Sequence, residues 1–173
     1  MFRCKQLLLA IATLLCAGSA WAQDSAAVRI GFLLNFARYV EWPETVLKPG
    51  APLRFCLAPG DAELAAPFGE LARQTIQGRP IQVKQLVRLS DVAGCHALYL
   101  PAETSGAVPA WLSAAQQTGA LTVGDAPDLV EAGGMIGLVP VGGRYRFDVN
   151  LGVARQADLR LSSQLLKLAR TVK

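Results

Sequence analysis

Ala97-Leu98-Tyr99-Leu100, residues 109–117 and Ala120-Leu121-Thr122-Val123 set an apolar run, an amphipathic stretch opened by Pro109 and a second apolar run in close succession. Short apolar runs of this kind read as strands buried on both faces, and the stretch between them reads as a helix. Strand, helix, strand is a βα unit, and successive units build a mainly parallel sheet. The alternation extends upstream, with Leu53-Arg54-Phe55-Cys56-Leu57 as a strand, residues 62–74 as a helix and Ile81-Gln82-Val83-Lys84-Gln85-Leu86 as an alternating strand. Downstream, residues 135–141 and 145–149 are strands joined through Gly142-Gly143-Arg144, a glycine-containing hairpin signal. Ser162-Ser163 then sets the start of a helix over 164–172, with Leu161, Leu165, Leu168 and Val172 on one face. The expected fold is α/β, a single three-layer domain with a mainly parallel central sheet, a late antiparallel hairpin and a C-terminal helix.

Ahead of this pattern, residues 26–40 predict a helix ended by Trp42-Pro43, because proline blocks continuation and restricts its predecessor. Ile30, Leu33, Leu34 and Ala37 form one apolar stripe, and Phe32, Phe36, Tyr39 and Val40 form another. One stripe faces the sheet. The other requires cover from a second element, a second subunit or a partner, since helices apolar on most sides are buried.

The N-terminus reads as an export signal: Arg3 and Lys5 are basic, residues 7–15 are apolar and Ala20-Trp21-Ala22 is a cleavage site. Residues 1–22 are thus a signal peptide, and 23–173 form one domain starting at Gln23. No later window approaches the roughly 20 apolar residues of a membrane span, so the exported chain is expected to be soluble. Leu15 before Cys16 speaks against lipid attachment, which favours a small residue there. Removing Arg3 and Lys5 lowers the formal charge from +4 to +2, and no basic cluster interleaved with aromatics points to nucleic acid. Of four cysteines, Cys56 and Cys95 remain after cleavage. In an exported protein this pair is most simply a disulfide; two buried thiols are the alternative, because free cysteine packs as a small hydrophobe.

Catalytic chemistry is sparse. His96, the only histidine, follows Cys95 directly, and adjacent strand residues point to opposite faces, so a Cys-His pair does not converge. One histidine and separated cysteines give no metal-ligand spacing, and nothing implies a cofactor. Gly124-Asp125 and Asp128 follow a strand, where α/β folds place sites, yet Asp125-Ala126-Pro127 reads more simply as a helix cap. Gly133-Gly134 enters a strand rather than a helix, unlike a phosphate loop. Asp125 and Gly134 are therefore the ligand-pocket candidates. Partner-binding candidates are Phe36, Arg38, Tyr39 and Trp42 at the first helix, with Arg144, Tyr145 and Arg146 at the hairpin, because Tyr, Trp and Arg dominate interface hot spots. Trp42 and Phe147 also suit the core, and Arg146 suits a pair with Asp148 or Glu41.

Seven segments in order carry a family resemblance: Asn35-Phe36-Ala37 with Val40, Trp42 and Pro43; Cys56; Gly78-Arg79-Pro80-Ile81; Cys95-His96-Ala97-Leu98-Tyr99; Leu121 to Asp125 with Gly133-Gly134-Met135-Ile136; Phe147-Asp148-Val149-Asn150-Leu151; and Leu161-Ser162-Ser163-Gln164-Leu165-Leu166. The chain resembles the YfiR family, periplasmic repressors of membrane-bound diguanylate cyclases. The resemblance implies a periplasmic α/β protein, commonly a homodimer, that binds the periplasmic domain of an inner-membrane diguanylate cyclase and controls cyclic-di-GMP output and biofilm formation. In the best-known systems an outer-membrane OmpA-like lipoprotein sequesters the repressor. Cys56 and Cys95 match family cysteines, implying a redox-sensitive disulfide. Two departures stand out: residues 141–151 lack the further cysteine pair of some members, and Asp158 replaces a frequent glycine.

A non-enzymatic repressor is the leading expectation. The alternative is a periplasmic small-molecule-binding sensor with its pocket near Asp125 and Gly134 and no obligatory cyclase partner.

Overall fold

The computed structural model describes residues 19–173, with side chains from Ser25 onward. The basic and apolar parts of the expected signal peptide, with Cys4 and Cys16, lie outside the described residues. Helix α1 (Ser19–Arg38) leads into β1 (Val40–Glu41). The apolar runs β2 (Leu53–Leu57), β5 (Ala97–Leu100) and β6 (Leu121–Gly124) form the parallel centre of the sheet. β4 (Arg79–Gln85) pairs parallel with β2 on its other side, flanked by β3 (Thr75–Ile76). β7 (Ile136–Val141) continues parallel from β6, and β8 (Arg144–Val149) returns antiparallel to it. Their turn is Gly142-Gly143, at φ 56° and 75°, the left-handed conformation that a two-residue hairpin requires. With β10 (Thr171–Val172) beside β8, the order is β10-β8-β7-β6-β5-β2-β4-β3. A separate antiparallel ribbon joins β1 to β9 (Arg160–Leu161).

Strand alternation sorts the core into two layers around this sheet. Phe55, Leu57, Tyr99, Leu121 and Val123 face one side, where Ile30, Leu33, Phe36 and Ala37 of α1 and Phe68 of α2 (Ala65–Glu70) cover them. Cys56, Leu98 and Leu100 face the other, against Trp111, Leu112 and Ala115 of α3 (Val108–Gln116). Burial on both faces is why these strands are continuous apolar runs.

Several expectations are corrected. The first helix begins further upstream and stops at Arg38, because Val40 and Glu41 pair with β9. Both of its stripes are covered within the chain: Phe36 and Val40 are buried alongside Ile30 and Leu33, and only Tyr39 of the eight is exposed. Residues 62–74 are not one helix but two 3-10 turns flanking α2, which contains Pro67 and Gly69. A short helix α4 (Leu151–Gln156) was not expected; Asn150 caps it, its Oδ1 accepting the Val153 N–H at 3.0 Å. The C-terminal helix α5 (Ser163–Leu168) is shorter than expected. Arg170 N–H donates to the Phe147 carbonyl, and β10 joins the open edge of β8, so sheet pairing takes the residues that helical spacing had claimed. Leu168 and Val172 are accordingly exposed. Asp148 pairs with Arg170, not Arg146.

Candidate functional site

The chain leaves β2 for β4 on one side and then places β5 on the other, so a topological switch point lies between β2 and β5; ligands of open α/β folds bind outside the carboxyl ends of the strands there. Here Gly60-Asp61 follows β2, and Gly124 is the last residue of β6 with Asp125 directly after it. A Cβ at Gly124 would lie 2.1 Å from the Leu100 carbonyl, so only glycine allows the two strands this approach. Arg29 of α1 reaches into the crevice, its guanidinium 2.7 Å from Asp61 Oδ2 and 2.8 Å from Asp125 Oδ2. The Tyr99 hydroxyl donates to Asp125 Oδ1 at 2.9 Å. Burial alone disfavours the Arg29 charge, but the two carboxylates outweigh it and raise its pKa; burial, followed by the Asp125 charge, raises that of Tyr99. Among the described residues Arg29 Nε is buried without a hydrogen-bond partner.

Asp125 is therefore neither a helix cap nor an open acid. Residues 126–133 form a bend and turns rather than a helix, and the Asp125 carboxylate is committed to Arg29 and Tyr99. The nearest cavity, about 380 Å³, lies between the ends of β6 and β7, lined by Asp125, Asp128, Asp148 and Arg170 among others. Gly134 does not line it: a Cβ there would meet Leu129 at 2.6 Å, so this glycine serves close packing. Sequence reasoning missed Arg29, Asp61 and Tyr99. The repeated Gly-Asp after two parallel strands was the available signal.

The partner-binding candidates separate into two patches. Arg144 and Tyr145 line a groove of about 490 Å³ with Ser25, Val28, Phe32 and Gly143; Arg146 is exposed beside it. Arg38 and Tyr39 line a second depression with Arg160 at the other end of α1, and Trp42 lines an adjoining one. Ser25 to Arg38 is roughly 20 Å of helix, so the patches flank one rigid element. Phe36 is corrected from surface to core: it is 2% exposed and packs on Phe147, ring centroids 4.8 Å apart.

His96 holds the second patch in place. The Arg54 N–H donates to His96 Nδ1 at 2.8 Å, and Nε2 lies 3.3 Å from the Val46 carbonyl, which fixes a neutral ring protonated on Nε2. Its own carbonyl accepts the Trp42 indole N–H at 2.9 Å. Burial lowers the His96 pKa, and the Arg54 and Arg79 charges add to that direction. Cys56 and Cys95 form a disulfide, with Cα atoms 5.9 Å apart, tying β2 to the segment before β5. Among the described residues no group of three or more His, Cys, Asp or Glu side chains is placed to hold a metal ion.

No curated protein matches the chain in sequence. Among solved structures it is similar to a conserved domain protein from Vibrio cholerae, at 15% identity and TM-score 0.51, with 75% of this chain and 57% of that one covered. It is also similar to an ABC domain in complex with L-Trp from Streptococcus pneumoniae, at 13% identity and TM-score 0.52, with 75% and 58% covered. The chain thus spans under three fifths of either structure's length, and at these identities the likeness concerns the fold. A family model, DUF4154, described as YfiR/HmsC-like, matches residues 26–170, the whole sheet up to Arg170. The chain belongs to the YfiR/HmsC-like family.

Proposed function

We propose that this protein is a periplasmic repressor that binds the sensor domain of an inner-membrane diguanylate cyclase and restrains cyclic-di-GMP synthesis. Family membership across residues 26–170 is the observation that carries the reading. It is supported by the export-type N-terminal sequence and by two exposed patches rich in arginine and aromatic side chains, the residue types of interface hot spots. The closed switch point adds support, since Arg29 fills the crevice where an α/β fold otherwise receives a ligand. Repression requires different affinities for two states of the cyclase, so binding shifts its population away from the active geometry. An OmpA-like lipoprotein is the proposed antagonist.

The test is calorimetric titration of residues 23–173 against the periplasmic domain of the genomically adjacent membrane cyclase, with and without reductant. Binding in the oxidised state, weakened by alanine at Tyr145 and Arg146 or at Tyr39 and Trp42, is the expected result. Absence of binding in both states rejects the reading. A small-molecule sensor is the second reading, favoured by the 380 Å³ cavity beside Asp125 and Arg170. Thermal stabilisation by a metabolite, abolished by Arg170→Ala and unaccompanied by cyclase binding, would establish it instead.

A further inference from the structure

A single residue of the sheet holds the Trp42 patch at two points. The Pro43 carbonyl accepts the Val46 and Leu47 N–H groups, both at 2.9 Å, which folds residues 43–47 into a compact turn. At one end of it the Trp42 indole N–H donates to the His96 carbonyl, and at the other the His96 Nε2–H donates to the Val46 carbonyl. Behind the turn the imidazole stands in for a strand carbonyl. β5 begins only at Ala97; just before it, the His96 N–H donates to the Arg54 carbonyl at 2.8 Å and Nδ1 accepts the Arg54 N–H. Both ring nitrogens are thus engaged, one as donor and one as acceptor. A proton on Nδ1 would set two donors face to face and leave the Arg54 N–H without an acceptor.

We propose that His96 is a proton-controlled latch on the Trp42 patch: protonation expels the ring from between Arg54 and Val46, frees the 43–47 turn and loosens the depression that Trp42 walls. The surroundings disfavour a charged ring that stays in place. β2 and β4 present Arg54 and Arg79, two cations that repel an imidazolium, and β6 carries no charged side chain. Cys95 beside it is tied to Cys56 and does not titrate. Glu41, Glu44 and Lys48 on the Trp42 side are exposed, and no carboxylate of the described residues is among the charges acting on the ring. Burial, with the two arginines, holds the pKa of His96 below 6.5, so the latch is closed at neutral pH and opens on acidification. Opening is local. Leu47 is buried, and Arg79 bonds the Lys48 and Ala51 carbonyls at 2.9 Å, so the loop keeps its root while its Trp42 end is released. A cyclase docked on Trp42 would exclude the proton, and each pH unit below the His96 midpoint would weaken it about tenfold. That consequence rests on the cyclase reading; the latch does not.

The test uses the oxidised chain of residues 23–173 without a histidine tag, in which His96 gives the only imidazole signals. Trp42 and Trp111 are its two tryptophans, and Trp111→Phe identifies the Trp42 indole resonance. Nitrogen-15 NMR from about pH 8 to 5 should show a neutral ring protonated on Nε2 that titrates in the acidic part of the range. The Trp42 indole N–H should shift and lose exchange protection at the same midpoint, and acrylamide should quench Trp42 fluorescence more strongly below it, reversibly. His96→Asn offers an oxygen to the Arg54 N–H but gains no proton, so Trp42 should stay unchanged across the range. A ring that remains neutral throughout, a ring that titrates while the Trp42 indole does not respond, or a Trp42 response that persists in His96→Asn would overturn the proposal. Should His96→Asn fail to fold, coincidence or separation of the two wild-type midpoints decides the matter. None of these measurements includes a cyclase, so failure of the latch and failure of the cyclase reading are distinguished.

Discussion

Arg29 is the residue on which the closed end of the sheet depends, because its guanidinium lies between two carboxylates that are each about nine-tenths buried. Replacing it with methionine keeps the side-chain length but strands Asp61 and Asp125 without a counter-charge. Breaking a buried ion pair from one side costs about 3 kcal/mol or more. Urea denaturation of Arg29→Met should show that loss, and adding Asp61→Asn with Asp125→Asn should return part of it. His96 gives the pH dependence. Its folded pKa lies below the ordinary 6.5, so the unfolded chain binds the proton more readily. The stabilisation is complete above that value and declines as pH falls through it, because a protonated Nδ1 would confront the Arg54 N–H. Denaturation midpoints measured from about pH 8 to 5 should fall, and His96→Gln should flatten that segment of the curve. Asp158 has φ 57°, the left-handed conformation that costs a non-glycine residue energy. Asp158→Gly should therefore raise stability by about 0.5–1 kcal/mol, visible as a higher melting temperature.

Among the elements, those that periodicity predicted well are the ones whose surroundings are uniform. β2, β5 and β6 are covered on both faces, so their apolar runs alone announced them, and the Gly142-Gly143 turn announced the hairpin. The misread elements depend on partners distant in sequence. β10 exists because β8 offers it an edge, and the ribbon that ends α1 exists because Arg160 and Leu161 arrive from the far end of the chain. The Arg29 cluster was hidden for the same reason: Asp61 and Asp125 lie 32 and 96 residues away along the chain, and no local pattern links them. Cys56 and Cys95 were legible as a pair because the sequence has only four cysteines and the other two, Cys4 and Cys16, fall in the stretch that reads as an export signal. Their bond spans a sequence separation of 39, and on the chain-entropy account such a loop is worth about 4 kcal/mol. Reduction, or Cys56→Ala with Cys95→Ala, should lower the unfolding free energy by about that amount, measured by guanidinium titration. An unchanged midpoint would show that β2 and the segment before β5 are held by packing alone.

At the scale of the molecule, one helix links three features. α1 covers the sheet with its apolar stripes, closes the switch point with Arg29, and separates the hairpin patch from the Trp42 patch. Arg38, Arg144 and Arg146 are exposed, and none of them has a carboxylate partner among the described salt bridges. Exposed, uncompensated cations of this kind act over roughly a Debye length and steer encounter, whereas a half-buried aromatic acts only once its surface is desolvated. The proposed cyclase complex should therefore show a division of kinetic roles. Arg144→Ala with Arg146→Ala should slow association and reduce its dependence on salt while leaving dissociation nearly unchanged. Tyr145→Ala should do the reverse, speeding dissociation with little effect on association, because its contribution arises in the docked state. Surface plasmon resonance at low and physiological ionic strength separates the two. If the arginine variant loses affinity only through faster dissociation, those side chains are docked contacts and the steering argument fails; if neither variant changes either rate, the hairpin is not the binding face, and Arg38, Tyr39 and Trp42 become the residues to test.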